Sequence, residues 1–273
     1  MEEVLFMKIS ILGCGWLGLP LGKHLVENGH SVKGSTTSES KIVLLSEVGI
    51  EPFLLNFSPQ IEFEKLDNFL NSEVLIICIP PRASKHGEDF HVQQIESLLG
   101  YLPSSSVKSI IYTSSTSVYP DLNREMTEND EVIDSHALIN VENLLKNLPQ
   151  NVTILRCGGL MGAERIPAKY FVGKTINTGK IPVNYVHQED VIQIISMILE
   201  KDFWNETFNV VSPEHPIREE IYLKNCEEFG YEKPTFEAPS EEILFKIISP
   251  KKLIQRTGYE FIYDNPLDFK YLR

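Results

Sequence analysis

The segment Gly13-Cys14-Gly15-Trp16-Leu17-Gly18 constrains this 273-residue chain more than any other. It follows directly on the apolar run Lys8–Leu12 and opens an amphipathic stretch, Leu17–Asn28, that Gly29 closes. Three glycines at that spacing between a strand and a helix have separate jobs. The first permits a tight turn, the second lets the backbone approach an anion, and the third lets helix and strand pack closely. The opening turn of the helix then aims unpaired N–H groups and the positive end of its dipole at the same spot. Such a turn suits a diphosphate, and Gly13, Gly15, Trp16, Leu17 and Gly18 are its candidate contacts.

Downstream, short runs rich in β-branched residues alternate with amphipathic segments. Strands are expected at Ser31–Lys33, Glu51–Phe57 (with Pro52 at its start), Val74–Ile79, Ser109–Thr113, Val152–Arg156 and Thr207–Val211. Helices are expected at Lys41–Val48, Phe63–Leu70, Phe90–Leu99, Ser135–Leu148, Gln188–Glu200 and Ile217–Gly230. Asp134 or Ser135 is the expected N-cap of the helix from Ser135. This alternation predicts an α/β fold, a doubly wound parallel sheet of the NAD(P)-binding Rossmann kind. Residues 1–160 would form the dinucleotide-binding core. Residues 161–273 would return one or two elements to it and build a small C-terminal cap lobe that covers the substrate.

Charge and cysteine usage remove several other roles. A net charge of −13 opposes attraction to nucleic acid or to an anionic membrane surface. Cys14, Cys78, Cys157 and Cys226 show no C-x-x-C spacing, so they read as reduced core thiols rather than a disulfide frame or a metal site. The apolar runs are too short to cross a bilayer, and no basic region followed by an apolar segment opens the chain. A cytoplasmic location is expected, with Met7 as an alternative start.

The residue that reads the adenosine ribose is expected about 20 positions past the glycine turn. That stretch is Lys33-Gly34-Ser35-Thr36-Thr37-Ser38, with no acid before Glu39. A carboxylate there would accept from the ribose hydroxyls and repel a 2′-phosphate. Hydroxyls donate to that phosphate, so Thr36 and Thr37 tilt the expected cofactor toward NADP, with NAD as the alternative.

Strand five runs into Ser114-Ser115-Thr116-Ser117-Val118-Tyr119, and later come Leu155-Arg156-Cys157-Gly158-Gly159-Leu160-Met161-Gly162 and Asn184-Tyr185-Val186-His187-Gln188-Glu189-Asp190-Val191. With the glycine turn, these four ordered motifs resemble the extended short-chain dehydrogenase/reductases, the NAD-dependent epimerase/dehydratase family, over nearly the whole chain. The resemblance implies a catalytic role for Ser115 and cofactor contacts at Asn56, Ile79, Pro80, Pro81 and Ser114. It implies substrate contacts at Thr116, Asn184 and His187, a sugar-like or nucleotide-sugar substrate, and, by analogy, a possible homodimer. Asp190 doubles as a candidate N-cap for the helix that follows.

The family's proton relay, Tyr-x-x-x-Lys on the helix after strand five, is missing. That helix reads Asp134-Ser135-His136-Ala137-Leu138-Ile139-Asn140-Val141-Glu142. Aligned on the family's glutamate, Asp134 and Leu138 occupy the two places; aligned on polarity, His136 and Asn140 do. His136 is the candidate acid or base. The Tyr-x-x-x-Lys spacing at Tyr170–Lys174 falls after strand six and reads as coincidence. Two functions therefore stand open. One is an NAD(P)-dependent epimerase, dehydratase or reductase; the other is a dinucleotide-binding sensor without turnover.

Overall fold

The computed structural model describes residues 6–56, 63–81 and 83–272. Seven strands, β1 (Lys8–Leu12), β2 (Ser31–Thr36), β3 (Glu51–Leu54), β4 (Val74–Ile77), β5 (Ser109–Ser115), β6 (Asn151–Cys157) and β7 (Thr207–Val210), form one parallel sheet in the order β3-β2-β1-β4-β5-β6-β7. Strand order reverses between β1 and β4, and in open α/β sheets ligands bind outside the carboxyl ends of the strands at that point. The register is direct: Ile11 lies opposite Gly34 of β2 on one side and Ile76 of β4 on the other. A parallel sheet is covered on both faces, so its strands favour unbroken apolar runs. Ile9, Ile11, Leu75, Ile76, Ile77, Ile110 and Ile111 are accordingly fully buried.

Nine helices connect and cover the strands among the described residues: α1 (Gly18–Glu27), α2 (Ser40–Glu47), α3 (Phe63–Leu70), α4 (Ala83–His86), α5 (Phe90–Leu99), α6 (Ala137–Lys146), α7 (Gln188–Lys201), α8 (Arg218–Phe229) and α9 (Lys251–Thr257). None is long and apolar enough to cross a membrane.

Several boundaries move from their expected places. β2 runs on to Thr36, because Gly34, Ser35 and Thr36 pair with Pro52, Phe53 and Leu54 instead of forming a turn. β3 stops at Leu54, and Phe57 lies outside the described residues. Pro52 is tolerated within β3 because that strand is the sheet edge, where a missing N–H breaks no ladder bond. β4 stops at Ile77, although Cys78 still donates its N–H to the Leu12 carbonyl at 2.8 Å. α6 begins at Ala137, and neither Asp134 nor Ser135 caps it. His136 does, its Nδ1 accepting from the Leu138 N–H at 3.2 Å.

The chain divides into two compact units. The first comprises Met1–Ser114, Asp134–Leu155 and Ile195–Thr207; the second comprises Ser115–Ile133, Arg156–Ile194 and Phe208–Arg273. Neither is one continuous stretch of sequence. The second unit contains three short parallel ladders, Gly159–Met161 with Tyr185–His187, Thr175–Ile176 with Thr235–Phe236, and Arg124–Met126 with Lys246–Ile248. Part of its core is the cluster of Ala168, Ile176, Val183, Ile221, Tyr222 and Cys226.

One buried polar pair of the first unit gives that unit a pH dependence. His91 of α5 is fully buried and shares a 2.9 Å hydrogen bond with the Tyr112 hydroxyl of β5. Burial pulls its imidazole down from 6.5 to about 4, against a weaker opposing effect of Gln94. Unfolded, the ring takes its proton near 6.5, so between those two values only the unfolded state holds it. Stability from this group is complete above pH 6.5 and is lost as pH falls toward 4. Urea unfolding of wild type and His91→Gln across pH 8 to 4 tests this. The difference between the two should move in the variant's favour by on the order of 3 kcal/mol on acidification; a constant difference would show that the buried imidazole titrates normally.

Candidate functional site at the carboxyl end of β1

The glycine turn joins β1 to α1 with no room to spare. Gly13 adopts φ +99°, and a Cβ there would lie 3.2 Å from the carbonyl carbon of Cys78 and 2.8 Å from the Ile79 side chain. A Cβ on Gly18 would meet the Gly13 carbonyl oxygen at 2.3 Å, so helix and turn touch through bare backbone. Gly15 differs: a Cβ there meets nothing within 4 Å. The middle glycine thus faces open space that a larger residue would fill, which fits a bound diphosphate. The turn is fastened to β2 through Ser35, whose hydroxyl accepts from Gly13 N–H and whose carbonyl accepts from Cys14 N–H, both at 2.8 Å. No side chain caps the start of α1, and no acid lies in its first turn. Both features suit an anion at that end.

A cleft of about 400 Å³ opens beside this turn. Of the expected cofactor residues, Gly13, Gly15, Thr36, Thr37, Asn56, Ile79 and Pro80 line it. Trp16, Leu17, Gly18, Pro81 and Ser114 are not in its lining. Leu17 is buried, and Gly18 acts through the close approach to Gly13. The sequence reading missed Lys41 of α2, Lys85 and His86 of α4, and Phe90 and Gln94 of α5, which also line the cleft. No short spacing links these residues to the glycine turn; only strand order brings them to it. Among the described lining residues there are two lysines and a histidine but no carboxylate, although the chain carries 38 acids against 25 Lys and Arg. Cys14 and Cys78 line it too, and burial pushes both thiols up to about 12, so they remain neutral. Among the described residues no group of three or more His, Cys, Asp or Glu could hold a metal ion.

In the same unit, Glu142 of α6 is buried and accepts a 2.7 Å hydrogen bond from the Ser114 hydroxyl. Its other oxygen lies 3.6 Å from Lys146. The Ser114 proton is therefore committed to Glu142, and Glu142 takes the inward face of α6. Asp134 precedes the helix, and Leu138 is a buried apolar residue of it.

In the second unit, Ser115 is half-buried, and its oxygen accepts from Ser117 N–H at 3.1 Å, capping the turn Thr116–Val118. Thr116 is buried. The buried Tyr119 hydroxyl donates to Asn209 at 2.8 Å and accepts from Arg156 at 2.7 Å. Burial raises that phenol, against the pull of Arg156, which makes it a poor proton source. Asn184 donates to the Lys246 carbonyl at 2.9 Å and accepts from Ile248 N–H at 2.7 Å, as a strand neighbour would. His187 is buried, with Nε2 on the Lys270 carbonyl at 2.9 Å and Nδ1 accepting from Glu189 N–H at 3.3 Å. Its ring packs against Tyr263 and Phe269. Asn184 and His187 thus hold backbone in place. Asp190 is not an N-cap, since α7 starts at Gln188. It is fully buried and accepts from Ile262 N–H at 2.7 Å and the Tyr259 hydroxyl at 2.9 Å. Tyr170 is exposed on the turn Pro167–Phe171, and Lys174 sits over the Phe171 ring, so that Tyr-x-x-x-Lys match assembles no relay.

The sheet order, the glycine turn and the cleft beside it define a Rossmann protein with the fold of the extended short-chain dehydrogenase/reductases. Similar solved structures include UDP-glucose 4-epimerase from Thermotoga maritima with UDP-glucose, with a TM-score of 0.78 and 18% identity over 96% of each chain. A short-chain dehydrogenase/reductase superfamily protein from Agrobacterium tumefaciens with bound NAD gives 0.77 and 15%, over 96% of this chain and 95% of that one. No protein-family model matches the sequence. Protein YeeZ of Escherichia coli K12 is 35% identical over 267 residues, covering 95% of this chain and 97% of YeeZ, and the chain belongs to the YeeZ family.

Two sets of variants separate framework from ligand surface. Gly18→Ala should cost about 2–3 kcal/mol in chemical denaturation, because overpacking against backbone outweighs the helix propensity gained. Gly15→Asp, with its Cβ in open space, should unfold at nearly the wild-type midpoint; equal destabilisation by both would refute the division. Asp190→Ala strands two donors and should cost about 3 kcal/mol in the same assay.

Proposed function

We propose that this protein binds a nicotinamide dinucleotide, NADP(H) in preference to NAD(H), and acts on a small carbonyl or sugar-like substrate, including nucleotide sugars, as an epimerase, dehydratase or reductase. One observation carries the cofactor assignment: in a strongly acidic protein, the cleft at the glycine turn is lined by Lys41, Lys85 and His86 and by no described carboxylate. The turn's backbone amides would hold the diphosphate, and Thr36, Thr37 and Lys41 would meet a 2′-phosphate. The NAD and UDP-glucose of the solved structures described above support the substrate class by analogy of fold alone.

A bound nicotinamide supplies hydride chemistry. The protein's part is to position the reacting carbon and to hold or move a proton. Ser115 keeps a hydroxyl proton to donate after its oxygen has capped the turn at Ser117, and it is our candidate for the group that holds the substrate oxygen. His136 is the candidate acid or base. Its Nδ1 accepts from the Leu138 N–H. The four free thiols fit a reducing, cytoplasmic setting.

A second function, a dinucleotide sensor without turnover, is favoured by α6, where a buried Leu138 leaves no lysine to assist a proton relay. Calorimetry followed by a turnover panel decides between them. NADPH should bind at least tenfold more tightly than NADH, and Gly15→Asp should abolish binding; the reverse cofactor order would reject the 2′-phosphate assignment. Oxidation of NADPH by any of a panel of aldehydes, ketones and nucleotide sugars, reduced about 100-fold in Ser115→Ala, supports the enzyme. Tight binding without turnover supports the sensor.

A further inference from the structure

Where the ladder of Arg124–Met126 with Lys246–Ile248 ends, a second cleft of about 530 Å³ opens, lined by residues of the second unit. The two strands are parallel, so their carboxyl ends lie side by side, and Ser249 N–H adds one more bond, to the Met126 carbonyl at 2.9 Å. The first strand and its turn bring Glu125, Glu128 and Asn129 to the cleft, and the second brings Ser249 and one face of α9. Lys251, Lys252, Gln255 and Arg256 share that face, and Leu253, on the opposite side of the helix, is fully buried. None of Ser115, Thr116, Asn184 and His187 belongs to this lining.

Each described residue of the lining is polar or charged. A nucleobase or an acyl chain would have no apolar wall to pack on, so the cleft suits a ligand that is polar throughout. Three cations face two carboxylates there, in a chain whose acids outnumber Lys and Arg by 38 to 25. Both carboxylates already have partners: Glu125 pairs with Lys251 at 2.9 Å, and Glu128 accepts from Asn209 N–H at 2.7 Å. Lys252 and Arg256 stand one helical turn apart, a spacing at which an ammonium and a planar guanidinium can share one anion. Ser249 is a separate sign of a ligand. It is only 2% exposed, and its hydroxyl approaches Glu125 without completing a hydrogen bond. A buried hydroxyl left in that state is costly unless something else completes it.

We propose that this cleft binds a phosphorylated sugar, its phosphate held by Lys252 and Arg256 and its hydroxyls by Glu125, Glu128, Asn129 and Ser249. The mixture of groups matches the mixture in such a ligand. A phosphate dianion calls only for donors, whereas sugar hydroxyls call for acceptors beside donors. The site is additional to the glycine-turn cleft and does not depend on the dinucleotide assignment.

Calorimetry on the full-length protein with glucose 6-phosphate, fructose 6-phosphate, ribose 5-phosphate, inorganic phosphate and glucose tests the proposal. At least one of the three sugar phosphates should bind at least tenfold more tightly than inorganic phosphate, and glucose should give no heat over the same range. No heat from any sugar phosphate, or affinities no better than that of inorganic phosphate, overturns the proposal. Gly15→Asp, altered at the other cleft, should bind the sugar phosphate as wild type does; loss of binding there would put the ligand at the glycine turn instead. Arg256→Gln, checked for an unchanged melting temperature, should weaken binding at least tenfold, and an unchanged affinity overturns the proposal. Ser249→Ala keeps the test open should Arg256→Gln fail to fold. It should weaken binding about threefold or more without lowering the melting temperature, because the hydroxyl it removes completes no bond within the protein. A lowered melting temperature with unchanged affinity would assign that hydroxyl to the fold and overturn the proposal.

Discussion

The closeness with which α1 meets the end of β1 governs the whole ligand end of the first unit. Gly18 rests against the Gly13 carbonyl oxygen with no space for a methyl group, and Gly13 leaves the strand with a backbone angle that side chains rarely adopt. Together they bring the uncapped start of the helix over the carboxyl edge of the sheet. Ser35 then locks the turn to β2 from both its hydroxyl and its carbonyl. The strand so fixed leads straight into Thr36, Thr37 and Lys41, which places the hydroxyls and the ammonium beside the same cleft. A single backbone contact thus helps to set where the cleft lies and which side chains line it.

How much of this could be read in the sequence depends on whether a feature is local. The glycine turn is local: its spacing, the strand before it and the helix after it sit within one short segment, and glycine's lack of a side chain has few substitutes there. The buried strands were equally plain, since β4 needs apolar residues on both faces. Lys41, Lys85, His86, Phe90 and Gln94 escaped notice because they come from different loops and helices, and only the order β2-β1-β4 gathers them. The start of α6 misled for another reason. Asp134 and Ser135 are better capping types than histidine, yet the backbone enters the helix at Ala137, and the residue just before it was His136.

Polar residues in a family-like motif carry two meanings that sequence cannot separate. Asn184 and His187 read as ligand-facing and Asp190 as a helix cap, but irregular backbone also needs donors and acceptors. Here the second need is met first. Asn184 completes the edge at Lys246–Ile248, while His187 and Asp190 secure the stretch from Tyr259 to Lys270, which has little ladder bonding of its own. Glu142 shows the converse. Its bond to the Ser114 hydroxyl ties α6 to β5, a structural job that no short motif in the sequence announces.

The interleaving of the two units has a consequence for synthesis on the ribosome. The first unit draws its last segment from Ile195–Thr207, so a nascent chain that has emerged only as far as the end of β6 holds the glycine turn but lacks that last segment. The stretch Ser115–Ile133 has by then also appeared, without most of its own unit. The first unit therefore has all its segments only once Thr207 has been made, after much of the second unit's sequence, so chain order and unit order do not coincide.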